Sequence, residues 1–142
     1  MPALSPRLAA IVDALPLEPG MRVLEIGGAP GAAAREVCQR IAPDGHILVI
    51  DRSAKGIALT ERNAAAEIEA GLLSTRHVAA EDFTLRPGET PFALAFAIRV
   101  GAFEGRHPQA GHKAHQRIRE ALHPGANLYI DGGTPLRTIP LD

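Results

Sequence analysis

The residues best placed to do chemistry surround a glycine-rich segment near the amino terminus, residues 23–31 (VLEIGGAPG). Gly27 allows the chain to turn sharply after a short apolar run, and Gly28 and Gly31 leave room for a ligand to approach the backbone. Glu25 lies at the end of that run, where its carboxylate could accept hydrogen bonds from an amino or cationic group. The segment predicts either a ligand-binding loop or a plain tight turn between a strand and a helix.

A second acidic group ends the next apolar run, residues 46–51 (HILVID). Asp51 follows Gly31 by twenty residues, and an acid at this position can bind both hydroxyls of a ribose. The flat guanidinium of the adjacent Arg52 could lie on an adenine ring. The alternative for Arg52 is an ordinary exposed arginine.

A third group, Glu81-Asp82-Phe83, follows the third predicted strand. A carboxylate here could accept a hydrogen bond from an exocyclic amine, and the aromatic ring could line a base. The alternative is a loop acid beside a core phenylalanine.

Alternating strands and helices are predicted to position these three groups. We expect strands over residues 21–26, 46–51, 76–80, 92–100 and 127–131, and helices over 5–15, 32–41, 53–70 and 109–122. This alternation predicts a parallel sheet covered by helices on both faces. Ligands of such sheets bind at the carboxyl ends of the strands, so the three groups should lie at one edge.

Length and composition restrict the class of protein. A chain of 142 residues fits a single domain, residues 1–142. A formal net charge of −1 and no basic run argue against a nucleic-acid partner. Cys38 is the one cysteine, which excludes an internal disulfide and favours the cytoplasm, and we expect it to be a small core residue. We see no leader at the amino terminus and no apolar run of membrane-spanning length.

Taken together, the motifs resemble the class I S-adenosylmethionine-dependent methyltransferase family. The resemblance runs from VLEIGGAPG through HILVIDRS and AAEDF to LHPGANLYIDGG, nearly the whole chain. It implies a Rossmann-like doubly wound sheet in the order 3-2-1-4-5, S-adenosyl-L-methionine as cofactor, and methyl transfer to an acceptor that we expect to be a small molecule. The implied cofactor-binding residues are Glu25, Gly27, Gly28, Ala29, Gly31, Asp51, Arg52, Glu81, Asp82, Phe83 and Arg99.

The chain also departs from the family pattern. Ala29 replaces the middle glycine of the loop, as in some RNA methyltransferases of the family. Ala93 and Ile98 or Arg99 replace polar residues of the fourth strand, which argues against methylation of a base amine. We expect no room for the usual antiparallel strand pair after the fifth strand. Since that would leave an open sheet edge, we predict a homodimer through the edge, or a tail that folds back over it.

Catalytic residues are weakly indicated. Glu104 and His107 are polar groups where a substrate would meet the methyl, although a surface loop is the alternative for His107. His112 and His115 share a helix face, but no acid or cysteine lies at ligand spacing, so we expect no metal.

Two other functions stay open. One is an S-adenosylmethionine-binding domain that is non-catalytic or truncated, such as a regulatory subunit. The other is a nicotinamide-binding domain, which Asp51 would suit, although its glycine motif would need glycines at Ala29 and Ala32.

Overall fold

The computed structural model of the chain describes residues 4–100 and 108–141. Their strands form a six-stranded sheet in the order β3-β2-β1-β4-β5-β6. The strands are β1 (Arg22–Ile26), β2 (His46–Asp51), β3 (Leu73–His77), β4 (Leu94–Ala97), β5 (Leu128–Asp131) and β6 (Leu136–Ile139). The first five pair in parallel, in the expected order, and β6 pairs antiparallel with β5.

The prediction of a sheet that lacks the carboxy-terminal antiparallel pair is therefore wrong. A tight turn lets the chain reverse within few residues: Gly132 has a φ of +108°, and a Cβ on Gly133 would lie 2.1 Å from the Leu136 carbonyl oxygen. The Asp-Gly-Gly run that begins at Asp131 is a turn signal that could have revealed the hairpin. The strand itself gives little signal, because it has four residues, none of them buried.

Helices cover both faces of the sheet. They are α1 (Pro6–Ala14), α2 (Ala32–Ile41), α3 (Ala54–Asn63), α4 (Ala65–Glu69) and α5 (Pro108–Ala121), with a short 3-10 helix at Ala80–Asp82. The single helix predicted over 53–70 is two helices that meet at Ala64, whose φ of −106° and ψ of 23° break the helical path. Strand β3 begins three residues before its predicted start.

Alternate side chains of the central strands enter two separate hydrophobic layers. Leu24 and Leu48 pack in the layer that contains Ile118 of α5, whereas Val23 and Val49 pack in the layer that contains Val37 of α2. Successive side chains of a strand point to opposite faces. The side chain two residues after Val23, which is that of Glu25, therefore points to the α2 face.

The edge of β5 is covered by β6, so the tail folds back as one of the two alternatives expected. The homodimer was predicted from an open β5 edge, and that reason no longer applies. No helix in the described part of the chain is long and apolar enough to cross a bilayer.

Candidate functional site

Glu25 is a buried acid in the middle of the sheet. Its neighbours in the register are Val49 on β2 and Phe96 on β4, and the residue is 3% exposed. Its Oε1 has no hydrogen-bond partner among the residues that the structure describes. Burial, and after it the negative charge of Asp51, raises the pKa of Glu25 to about 8. A buried carboxyl oxygen without a partner is costly, so Oε1 is available to accept a hydrogen bond or to contact a cation.

The glycine loop keeps the space around this carboxyl open. Gly27 has a φ of +70°, and its N–H donates to the Ile50 carbonyl at 2.8 Å. A Cβ on Gly28 would lie 2.7 Å from the Glu25 Cδ, and Gly31 has a φ of +99° at the cap of α2. The loop is thus a tight turn in which a side chain at position 28 would collide with Glu25.

A cleft of about 420 Å³, which we call the carboxyl-edge cleft, opens over Glu25. It lies between β1 and β4, where the strand order reverses and open α/β sheets bind their ligands. The lining comes from the first turn of α1, the glycine loop, the start of α2 and the turn after β4: Ser5, Arg7, Leu8, Glu25, Gly27, Gly28, Ala29, Pro30, Ala32, Ala33, Ile98 and Arg99. The structure therefore brings five of the predicted site residues together, namely Glu25, Gly27, Gly28, Ala29 and Arg99.

Asp51 lies beside the glycine loop at the end of β2. Its Oδ2 accepts from the Ala29 N–H at 3.3 Å and its Oδ1 from the Ser53 N–H at 2.9 Å. Each carboxylate oxygen can accept more than one hydrogen bond, so Asp51 retains acceptor capacity for a ligand. Arg52 is exposed, and its carbonyl accepts from His77 Nε2 at 3.0 Å.

The third predicted group does not line the carboxyl-edge cleft. Asp82 is exposed, and its Oδ1 accepts from Lys113 Nζ at 3.1 Å. Phe83 is fully buried, with its ring 6.5 Å from that of Phe92, so it occupies a core position. Glu81 is half-buried on the 3-10 helix.

Sequence reasoning missed two residues at the cleft. Arg7 Nη2 donates to Asp131 Oδ2 at 2.6 Å, and the Arg99 N–H donates to Asp131 Oδ1 at 3.0 Å. Asp131 ends β5 as Asp51 ends β2, so the same rule about strand ends could have found it. Nothing in the sequence links Arg7 to it, because the two residues lie 124 positions apart.

The other candidates contribute little to this cleft. Glu104 and His107 lie outside the described residues. Cys38 is 2% exposed, and burial raises the pKa of its thiol to about 12, which suits a core residue. Burial, with the charge of His112 as a smaller cause, lowers the pKa of His115. In residues 4–100 and 108–141, no group of three His, Cys, Asp or Glu side chains could hold a metal.

Comparisons with known proteins find relatives that are named methyltransferases. No protein-family model matches the chain. The chain is 33% identical over 127 residues to a protein-L-isoaspartate O-methyltransferase of Methanothrix thermoacetophila, covering 89% of this chain and 54% of that protein. It is 44% identical over 45 residues to a protein of the same name from Methanothermobacter thermautotrophicus, 32% of this chain and 21% of that one. The chain thus spans about half the length of these relatives or less.

A solved structure shows the same fold. The methyltransferase of Geobacter sulfurreducens, in complex with S-adenosyl-L-homocysteine, superimposes with a TM-score of 0.68 at 20% identity. The match covers 90% of this chain and 48% of the other.

Proposed function

We propose that the chain is a class I S-adenosylmethionine-dependent methyltransferase that binds S-adenosylmethionine in the carboxyl-edge cleft, because its 33%-identical relative is named a methyltransferase and a solved methyltransferase has the same fold. There it would transfer the methyl group to a small-molecule acceptor. The observation that carries the proposal is the buried, unpartnered Oε1 of Glu25, a residue that lines that cleft. An amino-acid ammonium group is the partner this carboxyl lacks.

Different residues of the chain would bind different parts of the cofactor. Glu25, once ionised, accepts from the ammonium group, and the backbone of the glycine loop borders the rest of the amino-acid part. Asp51 uses its free lone pairs for the ribose hydroxyls. The adenine ring would extend from Arg52 toward the 3-10 helix, where Glu81 or Asp82 would accept from its amine and Phe83 would support the wall from the core side.

Positioning and exclusion of water are the main contributions of the protein to the reaction. When bound, the cofactor would supply an electrophilic methyl group on its sulfonium sulfur; transfer of that methyl group to the acceptor would break the methyl–sulfur bond and leave the sulfur as a thioether. The first turn of α1 and the loop over Glu25 limit the access of water. A general base is needed only if the acceptor is protonated, and Glu104 and His107 stay our candidates for it.

Neither alternative function gains support from the structure. The non-catalytic domain was favoured by a missing antiparallel pair that is present. A nicotinamide dinucleotide has no use for the unpartnered Glu25, and Ala29 and Ala32 stand where its glycines would be. The cytoplasmic location, the single domain over 1–142 and the homodimer stay predictions.

Calorimetry tests the cofactor. S-adenosylmethionine and S-adenosylhomocysteine should bind, whereas NAD should not. Asp51→Ala should weaken binding by about 1.5–3 kcal/mol because it removes charge-assisted hydrogen bonds, and Asp44→Ala, at the opposite edge of the sheet, should not. Tight NAD binding without a response to the other two ligands would overturn the proposal.

Turnover is tested separately. Methyl transfer from labelled S-adenosylmethionine should be screened against small metabolites. An isoaspartyl peptide is a second acceptor to include, because two relatives carry the name protein-L-isoaspartate O-methyltransferase. Transfer to the peptide alone would replace the small-molecule acceptor.

A further inference from the structure

Asp131 connects three elements around the carboxyl-edge cleft without lining it. Its carboxylate, at the end of β5, accepts from the Arg7 guanidinium at 2.6 Å and from the Arg99 N–H at 3.0 Å. Arg7 lies in the first turn of α1, and Arg99 lies in the turn after β4; both line the cleft. The Asp131 side chain is 11% exposed, whereas the Arg7 side chain is 45% exposed.

The turn after β4 needs such support. Arg99 has a φ of +58°, and it is the one non-glycine residue with a positive φ in the described part of the chain. An L-residue with a side chain disfavours this conformation, and surrounding contacts must hold it in place. The neighbouring Val100 lies against the glycine loop, because a Cβ on Gly27 would lie 2.9 Å from Val100 Cγ2.

We propose that Asp131 is a positioning residue for the cofactor site. It holds the left-handed turn at Arg99 and the first turn of α1 at the distance that the ligand requires. The inference rests on the proposed function, since the ligand is the one named there. Asp131 itself contacts no ligand. Its two carboxylate oxygens have different roles, because Oδ1 positions the turn after β4 and Oδ2 positions helix α1.

A second ion pair on α1 provides a control that distinguishes positioning of the cofactor site from general stability. Arg40 Nη2 donates to Asp13 Oδ1 at the same distance, 2.6 Å, and Asp13 also lies on α1. This pair is more exposed on the carboxylate side, 65%, and lies away from the cleft. Exposed pairs contribute little, so Asp13→Ala serves as the control.

The experiment compares Asp131→Ala, Asp131→Asn, Arg7→Met and Asp13→Ala in the full chain. We measure the dissociation constant of S-adenosylhomocysteine by calorimetry and the melting temperature of each variant. Asp131→Ala should weaken binding about tenfold or more. Asp131→Asn should recover part of this loss, because its amide oxygen can still accept from Arg99 N–H. Arg7→Met should lose only the part of the affinity that depends on the position of helix α1. Asp13→Ala should bind like the wild type.

Hydrogen exchange monitored by mass spectrometry provides a readout that does not depend on the ligand. Asp131→Ala should accelerate exchange in residues 5–14 and 98–100 and leave β1 and β2 unchanged. A folded Asp131→Ala protein that binds S-adenosylhomocysteine like the wild type overturns the inference, even if its melting temperature falls. If the wild type fails to bind, the proposed function fails; unchanged exchange in the two segments would then overturn the positioning role as well.

Discussion

The sheet has a cleft at each end of its strands, and the two clefts differ in the hydrogen bonds that Glu25 and Glu89 receive. The amino-edge cleft, about 430 Å³, is lined by the starts of the strands and by the loop before β4: Arg22, Asp44, Gly45, His46, Leu48, Gly71, Ser74, Gly88, Glu89 and Thr90. Its volume nearly equals that of the carboxyl-edge cleft. Size therefore does not tell which cleft binds a ligand.

Of the two acids that line the amino-edge cleft, Asp44 and Glu89, the second is bound by its own chain. Glu89 accepts from both terminal nitrogens of Arg76, at 3.2 and 2.9 Å, and from the Arg86 N–H at 2.9 Å. The hydrogen bonds from Arg76 are the largest cause that lowers the pKa of Glu89. Both ring nitrogens of His46 also have partners, the Gly71 carbonyl at 2.8 Å and Ser74 Oγ at 2.7 Å.

Glu25 shows the opposite condition, with one oxygen unpartnered and the pKa raised to about 8. A buried acid that its own chain satisfies stabilises the fold, whereas a buried acid left unsatisfied costs stability, which is recovered when a ligand binds. The comparison predicts that the two acids respond oppositely to pH and to removal of their charge.

The largest expected effect is on stability against pH. The folded pKa of Glu25, about 8, lies above its unfolded value near 4.5, so between these pH values the folded state binds more protons. The free energy of unfolding should therefore fall as pH rises through this window, by about 3–5 kcal/mol in total from this one group. Urea denaturation of the ligand-free protein at pH 5, 7 and 9 measures it. Glu25→Gln should remove most of the dependence; parallel curves for variant and wild type would contradict the raised pKa.

The next effect is on ligand affinity. Glu25→Gln should weaken S-adenosylhomocysteine binding by about 10- to 100-fold, because an amide replaces the charge that the ammonium group needs. Glu89→Gln should not change it. In the wild type, affinity should rise between pH 6 and 8, by up to about tenfold per pH unit, since Glu25 must lose its proton to bind a cation. Calorimetry in two buffers of different ionisation enthalpy should reveal that proton, and a pH-independent affinity would count against the assigned role of Glu25.

The sequence could predict those features of the two clefts that depend on residues adjacent in the chain. Strands β1 and β2 are apolar runs buried on both faces, and the glycines between β1 and α2 have an unambiguous turn chemistry, so Glu25 and Asp51 could be placed at strand ends. Edge strand β3 could not be placed well, because its Ser-Thr-Arg centre is only half-buried.

The contacts that were missed depend on the assembled fold. Ala64 separates two helices without Pro or Gly, and it is fully buried in the hydrophobic layer that contains Val37. Phe83 could equally have lined a ligand or the core, and only the packing on Phe92 places it. The unpartnered state of Glu25 also needed coordinates, since a sequence shows an acid but not the absence of its partners.

Glycine substitutions at the two clefts provide a further test of the difference between them. A Cβ on Gly28 would lie 2.7 Å from both the Glu25 carboxyl and Val49 Cγ1, whereas Gly88 has a φ of +78° and nothing within 4 Å. Gly28→Ala should cost about 1–3 kcal/mol of stability through overpacking and should also weaken ligand binding, because Glu25 must move. Gly88→Ala should cost about 1 kcal/mol through backbone strain alone and leave binding intact. Equal loss of binding in both variants would show that the glycine loop has no special relation to the ligand.

The smallest effect is expected at Glu89, and its sign is opposite to that of Glu25. Because its folded pKa lies below the unfolded value, its contribution is present above about pH 4.5 and is lost as pH falls through the folded pKa. Its side chain is 15% exposed, so Glu89→Gln should lower the free energy of unfolding at pH 7 by only about 1–2 kcal/mol, and the difference from wild type should shrink below pH 4. Denaturation curves at pH 3.5 and 7 measure both values. If Glu89→Gln instead stabilised the protein at pH 7, the amino-edge acid would be as unsatisfied as Glu25, and partner satisfaction would no longer distinguish the two clefts.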